Sequence, residues 1–558
     1  MRLKKVMCVT LAAAMLMGSL AGCAKKDNKV DNPSVTQPAT DENNKGSDDN
    51  KENTDAPVAN AEPVELKIHF HSNNKYTLLD ENGKLLPVFA LAGEKTNSIV
   101  ESTANPVAQN SIEEFQLQAS EKFPADIYGG TSLRSSIISY AYQGAFLPLN
   151  DLIDQYAPNL KKFLDENPDV KAAHTAADGN IYMLNYCPDG DVARVYFIRT
   201  DWLNKLGLSM PTTFEELENV LYAFRNNDPN GNGLKDEVPV FNDKWEELIR
   251  LANLWGARVY GFDTFTERVV LDANDKFYQA WTAPEFKEAL IGLSKWYKDG
   301  IIDQEAFTRK QNTARQTLWA KENTGGMTHE FFASTSAFNY NTEVLAAVPD
   351  FKLEAFLPVN KNGAGFEEHQ RAIAKQDGWA ISASTKNAEA AIRYMDWFYS
   401  EEGRRAINFG IEGESYTMVN GVPTFTEDVL KQGNVNTYLQ SAYGAQLPIG
   451  YKQNYDYEDQ WVTKEGRDAN ELYSSNKASV YTVKTTPVLS FTEEETAEYD
   501  QCLTALNEYQ NEMVTAFITG KTDIESNWDA YIAKCKELGV DTLVGLYETA
   551  YTRYKAIK

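Results

Sequence analysis

Cysteine and histidine are scarce in this chain. Only five of each occur in 558 residues. No two cysteines stand in CxxC spacing, and their scatter does not make a disulfide framework. GxSxG and GxxxxGK[ST] are absent, which removes the nucleophile elbow and the phosphate-binding loop. The stretch HEFFA (329–333) begins like the zinc motif HExxH, but Ala333 stands where the second histidine belongs. Positive charge is the other shortage. Fifty-four Lys and Arg face 80 Asp and Glu, a formal net charge of -26. That balance argues against nucleic acid or an anionic membrane surface as the main partner. Eighty carboxylates also guarantee chance pairs, so their abundance says nothing about glycoside hydrolysis.

What the N-terminus does have is a targeting pattern. MRLKKVMCVTLAAAMLMGSLAGC opens with Arg2, Lys4 and Lys5, then an apolar run too short to span a bilayer as a stable helix. Its end, Leu20-Ala21-Gly22-Cys23, resembles the bacterial lipobox. The resemblance implies cleavage of a signal peptide of residues 1–22 and acyl chains, palmitate among them, on Cys23. Two or three such chains, at about 0.8 kcal/mol per buried CH₂, make a stable anchor on the outer face of the cell membrane. Residues 23–62 would form a solvated tether, since Val30, Val35 and Val58 are its only larger aliphatics and it has no aromatic. Cys8 leaves with the signal. Cys187, Cys502 and Cys535 then remain, either as buried free thiols or with Cys502 and Cys535 facing each other across a helical hairpin.

Past the tether, 42% hydrophobic and 12% aromatic content supports a globular body, and the length calls for more than one lobe. VELKIHFHS (64–72) alternates like a strand, SIEEFQLQASEKF (111–123) has a helical pattern, and ADIYGG (125–130) reads as a second strand. That order predicts an α/β domain with a largely parallel sheet. Thr213 and Glu216 stand at capping-box spacing, which starts a helix running to about Arg225, and Gly207 caps the helix before it. Helices are also predicted over 245–257, 283–300 and 387–410, strands over 353–359 and 378–385, and a mainly helical region over the last 130 or so residues. No repeat of solenoid period is present.

Three runs carry a family resemblance: YFIRTDWLNKLGLSMPTTFEELENVLYAFRNNDPNGNGLKDEVPV, GWAISASTKNAEAAIRYMDWFYSEEGRRAINFGIEGESY and FITGKTDIESNWDAYIAKCKELGVDTLVGLYETAYTRY. Each resembles the extracellular solute-binding lipoproteins (family 1 type) of bacterial carbohydrate ABC importers. The resemblance implies a two-lobed α/β fold of the type II periplasmic-binding-protein kind, with hinge crossovers and a mainly helical C-terminal region. One lobe is expected over 63–190 with 376–430, the other over 191–375 with 431–558. It also implies a monomer that closes on an oligosaccharide and delivers it to permease subunits without enzymatic turnover. Two competing readings are a lipid-anchored, calcium-dependent glycan-active enzyme and a surface adhesion or sensing module.

The stretch DPNGNGLKDEVP (228–239) sets Asp228, Asn230 and Asn232 at every second position, then Gly233, the Leu234 carbonyl and Asp236. An all-oxygen set of this kind selects Ca²⁺, as in the first half of an EF-hand loop. Position twelve is Pro239 instead of a bidentate glutamate, so Glu237 is the available substitute. Such an ion is structural, because a loop that fills the coordination shell leaves no open position for chemistry. For the sugar, sites need aromatic platforms with carboxylates, amides and arginine at strand ends. Trp379, Tyr128, His71 and Tyr416 are the expected platforms, with Asp126 and Glu330 as hydroxyl acceptors. The tyrosine-rich loop GYKQNYDYEDQW (450–461) is a further wall. His69 and His71 lie on one strand face, but with few other histidines a zinc site lacks its third ligand.

Overall fold

The computed structural model describes residues 62–73, 76–260, 268–309 and 313–558. Cys23, the signal peptide and all of the tether but Glu62 lie outside them. Thirteen strands lie among the described residues: β1 Val64–His71, β2 Ser98–Ser102, β3 Ile127–Gly130, β4 Met183–Asn185, β5 Arg194–Arg199, β6 Val238–Val240, β7 Val269–Leu271, β8 Phe277–Gln279, β9 Gly325–Phe331, β10 Leu353–Phe356, β11 Gly378–Ile381, β12 Tyr416–Val419 and β13 Val422–Phe425. They build two principal sheets, ordered β2-β1-β3-β11-β4 and β10-β5-β9-β6, and two small hairpins. Each principal sheet organises one lobe.

The first sheet is parallel only across β2, β1 and β3. β11 pairs antiparallel with β3 on one side and with β4 on the other, and both strands lie where the chain passes between the lobes. The expected largely parallel sheet is therefore a mixed one. Leu66, Ile68, Phe70, Ile127, Trp379 and Ile381 face a core of helices, while Tyr128, Met183 and Ala380 face a second cluster. In the second sheet the period of two is plain. Val195 and Phe197 enter one core, whereas Tyr196 and Ile198 enter the other.

The helices follow their local signals. Phe214–Asn226 starts at the Thr213–Glu216 capping box, and Gly207 ends the preceding helix in the left-handed region at φ 67°. The predicted 245–257 helix is α only over Trp245–Leu248 and continues as a 3₁₀ segment over Ile249–Trp255. The expected 387–410 helix divides into Ala388–Trp397 and Glu401–Phe409. Ser400 caps the second by accepting the Gly403 N–H, and a Cβ on Gly403 would lie 1.9 Å from the Trp397 carbonyl oxygen. Glu493–Ile518, Ile524–Glu537 and Val540–Ile557 form the helical C-terminal region. Cys187, Cys502 and Cys535 are free thiols.

The chain passes between lobes at three places. It leaves the first after β4, returns into β11, and leaves again near 457–462, where Tyr457 still belongs to the first lobe's core and Val462 to the second's. Residues 435–457, expected in the second lobe, thus pack on the first. Val435, Leu439, Leu447 and Ile449 bury their side chains there, and sequence periodicity alone does not reveal which lobe an apolar helix covers.

Trp379 fastens the first core. Its ring is fully buried against Phe398 and Tyr394, at centroid distances of 5.4 and 6.1 Å. The neighbouring β3 backbone passes so close that a Cβ on Gly129 would sit 2.7 Å from the Trp379 Cβ. Replacing Trp379 by alanine should cost about 3–5 kcal/mol. A fall in melting temperature checks this, and an unchanged melt would contradict the core assignment.

Candidate functional site

The ends of both principal sheets converge on the crossovers. β4 ends opposite the start of β11, pairing Asn185 with Gly378, and β9 ends opposite the start of β5, pairing Phe331 with Arg194. Between these ends lies a cavity of about 230 Å³. The first lobe contributes Tyr186, Gln453, Tyr457 and Glu458, the second Phe331 and Phe332, and the returning crossover His369, Arg371 and Lys375.

Aromatic faces and fixed polar groups alternate around this cavity. Phe331 stays 44% exposed at the carboxyl end of its strand, with the Arg194 guanidinium 3.9 Å above its ring. Arg371 is held in place from three sides. Its Nε donates to the Val192 carbonyl at 2.9 Å, its Nη2 to Glu458 at 2.7 Å, and its Nη1 reaches the Gln453 amide oxygen at 3.5 Å. Such a clamp fixes the fork of donors before any ligand arrives. Behind it, Arg194 bridges Glu330 at 2.8 Å and Glu247 at 2.6 Å, and Glu247 also accepts from Arg250 at 2.7 Å. Burial works against the charge on Glu247, but Arg250 and Arg194 hold its carboxyl well below the ordinary range.

Burial pushes the His369 imidazole well below its ordinary value, with Arg250 and Arg194 adding to the shift, so it is neutral at physiological pH. The hydroxyls of Tyr186 and Tyr457 are raised well above theirs by burial and stay protonated. Lys375 differs. Burial lowers its amine to about 8, with Asp377 opposing and Arg194 and Arg250 adding to the effect.

A larger cavity of about 1000 Å³ lies on the other side of the same crossovers. It offers a ligand less. Its lysines are engaged, Lys452 with Asp189 at 3.1 Å, Lys484 with Asp275 at 2.7 Å and Lys558 with Asp169 at 2.6 Å. Tyr260 lies beneath Arg250 and Tyr554 bonds Asp169. The smaller cavity, with an open ring at a strand end, is the better placed to receive a ligand.

The residues expected to stack on a ligand lie elsewhere. Trp379 is in the first core. Tyr128 is fully buried, with its hydroxyl accepting the Ala125 N–H at 2.8 Å and Phe123 edge-on at 5.2 Å. His71 is buried between the Ser111 hydroxyl at 3.1 Å and the Ala108 carbonyl at 3.0 Å, and His69 stacks on Tyr128. Asp126 accepts from the Lys67 N–H and the Thr385 hydroxyl, which ties the sheet together. Tyr416 packs on Phe409 in the β12–β13 hairpin. Glu330 alone adjoins the cavity, through Arg194, and one of its oxygens has no hydrogen-bond partner. The 450–461 loop does supply Gln453, Tyr457 and Glu458. Tyr186, Phe331, Arg371 and Lys375 were not singled out from sequence. The signal that could have found Phe331 is its place at the end of HEF, just past the alternating strand residues.

In the 228–237 loop, Asp228 takes a left-handed backbone (φ 48°) and its carboxylate accepts the N–H groups of Gly231, Asn232 and Gly233. The Asn230 and Asn232 amides donate to Asp236. Glu237 is only 2% exposed, and neither carboxylate oxygen has a partner. Burial first, then Asp236 and Asp228, push its carboxyl up. Among the described residues no three His, Cys, Asp or Glu side chains gather as a metal set. The loop's remaining donors are amide and carbonyl oxygens, and the orphaned Glu237 carboxylate is what a hard cation would satisfy.

Two lobes joined by crossovers, with an aromatic and polar cavity at the passage, define a hinged ligand-capturing protein. Residues 76–405 match the bacterial extracellular solute-binding protein family, and the chain belongs to it. Among its relatives is the fructooligosaccharide ABC transporter substrate-binding protein FusA of Streptococcus pneumoniae, 26% identical over 477 residues, 79% of this chain and 82% of FusA. The polygalacturonan/rhamnogalacturonan-binding protein YtcQ of Bacillus subtilis is 23% identical over 433 residues, 75% of this chain and 79% of YtcQ. The alginate-binding protein AlgQ2, solved without calcium ion, is 38% identical with a TM-score of 0.76, covering 88% of this chain and 99% of AlgQ2. A FusA structure described as an EF-hand mutant shares the fold at a TM-score of 0.68 and 22% identity, over 88% of this chain and all (100%) of that one.

The Arg371–Glu458 pair should behave as a buried unit. Glu458→Ala leaves a guanidinium without its carboxylate and should cost about 3–5 kcal/mol, while the double Arg371→Leu/Glu458→Leu exchange loses less. Denaturation of the wild type and the two variants decides it, and a double exchange that costs as much as Glu458→Ala or more would count against the pair.

Proposed function

We propose that this protein captures an oligosaccharide in the cavity between Tyr186, Phe331 and Arg371 and hands it to the permease of an ABC importer. The observation that carries the reading is the open Phe331 ring beside a clamped arginine at the lobe crossovers. Sugars present C–H faces that stack on such rings and hydroxyls that bond such donors. The names of the carbohydrate-binding relatives support it. Ligand contacts from both lobes favour a closed form over an open one, and the closed form is what a permease recognises. No bond is broken. Glu458, the single carboxylate among the cavity's described lining residues, is held by Arg371, whereas glycoside hydrolysis takes two.

The remaining parts combine sequence and packing. Lobe one comprises 63–190 with 376–430, as expected from sequence, together with the 435–457 stretch that packs on its core; lobe two is the rest of the body, and the protein works as a monomer. Acyl chains on Cys23 hold it at the outer face of the membrane and raise its effective concentration at the permease. Ca²⁺ fills the loop of Asp228, Asn230, Asn232, Leu234, Asp236 and Glu237, where it fastens the segment between the helix Phe214–Asn226 and β6.

A panel of oligosaccharides in a thermal-shift assay tests the sugar reading. One of them should stabilise the protein, by about 2.7 kcal/mol at a hundredfold excess over Kd, and be recovered intact. Stabilisation by none, or a cleaved glycan, would sink it. Calcium should raise the melting temperature and a chelator lower it. Asp228→Ala should remove that response while leaving sugar selectivity alone, and altered selectivity with unaltered melting would speak against a structural ion.

A further inference from the structure

Besides the three passages of the chain, the lobes share a link that is not covalent. Residues 486–491 begin and end on the second lobe. The Thr486 hydroxyl donates to the Val269 carbonyl on β7 at 3.2 Å, and the Phe491 ring stacks on Tyr499 at 4.5 Å. Between these points the segment is neither helix nor strand, and its side chains alternate. Leu489 and Phe491 pack on the second lobe's core. Val488 and Ser490 meet the first lobe. Val488 is buried in a small apolar cluster with Ala173 and Cys187 of that lobe and Ala374 of the returning crossover.

The polar contacts across this seam are short and directional. The Ser490 hydroxyl donates to the Thr175 carbonyl at 3.1 Å and accepts from Arg134 Nη2 at 2.6 Å. Arg134 also donates to the carbonyls of Ala173 at 3.0 Å and Leu489 at 3.4 Å, one on each side of the seam. The Tyr142 hydroxyl donates to the Phe491 carbonyl at 3.0 Å. From the second lobe, Arg553 holds the Ser490 carbonyl at 3.1 Å. The Asp169–Lys558 pair also joins the lobes, but both side chains are half-exposed and such a pair contributes little.

Covalent passages bend without parting, whereas this seam can part. Rotation of one lobe against the other, in either sense, moves Arg134, Tyr142 and Thr175 relative to the segment. Hydrogen bonds weaken steeply once their short range and direction are lost. The seam therefore belongs to the lobe arrangement described above, in which both lobes line the cavity of Tyr186, Phe331 and Arg371. We propose that residues 486–491 are a strap that favours this arrangement and so sets how tightly sugar is held without touching it. Residues 486–488 line the larger cavity, on the side of the crossovers away from the sugar. This rests on the sugar-capture reading and adds a conformational control to it. Apparent affinity scales with the fraction of molecules in the competent arrangement, so contacts remote from the ligand count.

Ser490→Ala and Tyr142→Phe each remove hydrogen bonds of the seam and keep the apolar part of the side chain. Calorimetry uses the full protein with maltotriose, kestose, trigalacturonate and the stabilising sugar of the thermal-shift panel. Each variant should raise the Kd of the probe that binds by about fivefold, and the double variant by more. Small-angle scattering separates a shifted lobe equilibrium from a damaged sugar contact. Without sugar, the variants should show a larger radius of gyration than the wild type, and a saturating probe should return them to its profile. The melting temperature of each variant controls for folding. A Kd that is unchanged or lower, or one that rises with unchanged scattering, overturns the strap and leaves sugar capture standing. Binding of no sugar by the wild type, in this set or in the wider panel, overturns both.

Discussion

A charge removed from water must find its partner within a few ångströms, and the crossovers of this protein are organised by that requirement. Arg194, at the first residue of β5, holds carboxylates from two different elements, Glu330 on β9 and Glu247 on the short helix Trp245–Leu248. Arg371 and Glu458 do the same between the second and third passages of the chain. These pairs contribute little net stability against an apolar alternative. What they supply is register, since none of the three passages shifts without stranding a charge in a dry place. The cavity inherits its shape from that constraint.

Rigidity at the passage and mobility of the lobes are compatible because they reside in different parts of the chain. Each lobe has its own apolar core, with Trp379 and Phe398 in one and Trp202, Trp281 and Trp296 in another. Rigid bodies of this kind move about a few crossover residues without repacking. The cavity at the passage is lined by pieces that do not deform: a ring at the end of β9, an arginine held from three sides, and a lysine whose backbone is tied to β4.

Much of the architecture was legible in sequence, and the losses have physical causes. Alternation in VELKIHFHS and the Thr213–Glu216 box are local signals, set by neighbours within a few residues. They were read at nearly their true positions. The residues of the candidate cavity depend on distant chain. Whether Trp379 faces core or cleft is decided by the helix Ala388–Trp397 and Phe398 covering it, and whether Phe331 is covered depends on where the second passage runs. HEFF drew attention for its resemblance to a metal motif, while its useful residue was the phenylalanine. Residues 435–457 were placed in the wrong lobe for the same reason: an apolar face states that something covers it, but not what.

The discontinuity of the first lobe has a consequence for the order of events at synthesis. Its sheet pairs β3 with β11, which lies some 250 residues later, and its core is completed only by residues up to Tyr457. Pairing of such long range is slow and must wait for the chain that supplies it. Until most of the polypeptide has left the ribosome, β1 to β3 lack the strand that covers their edge, and the lobe stays open. A chain that must cross a membrane before folding gains from this arrangement, because its own topology delays the fold.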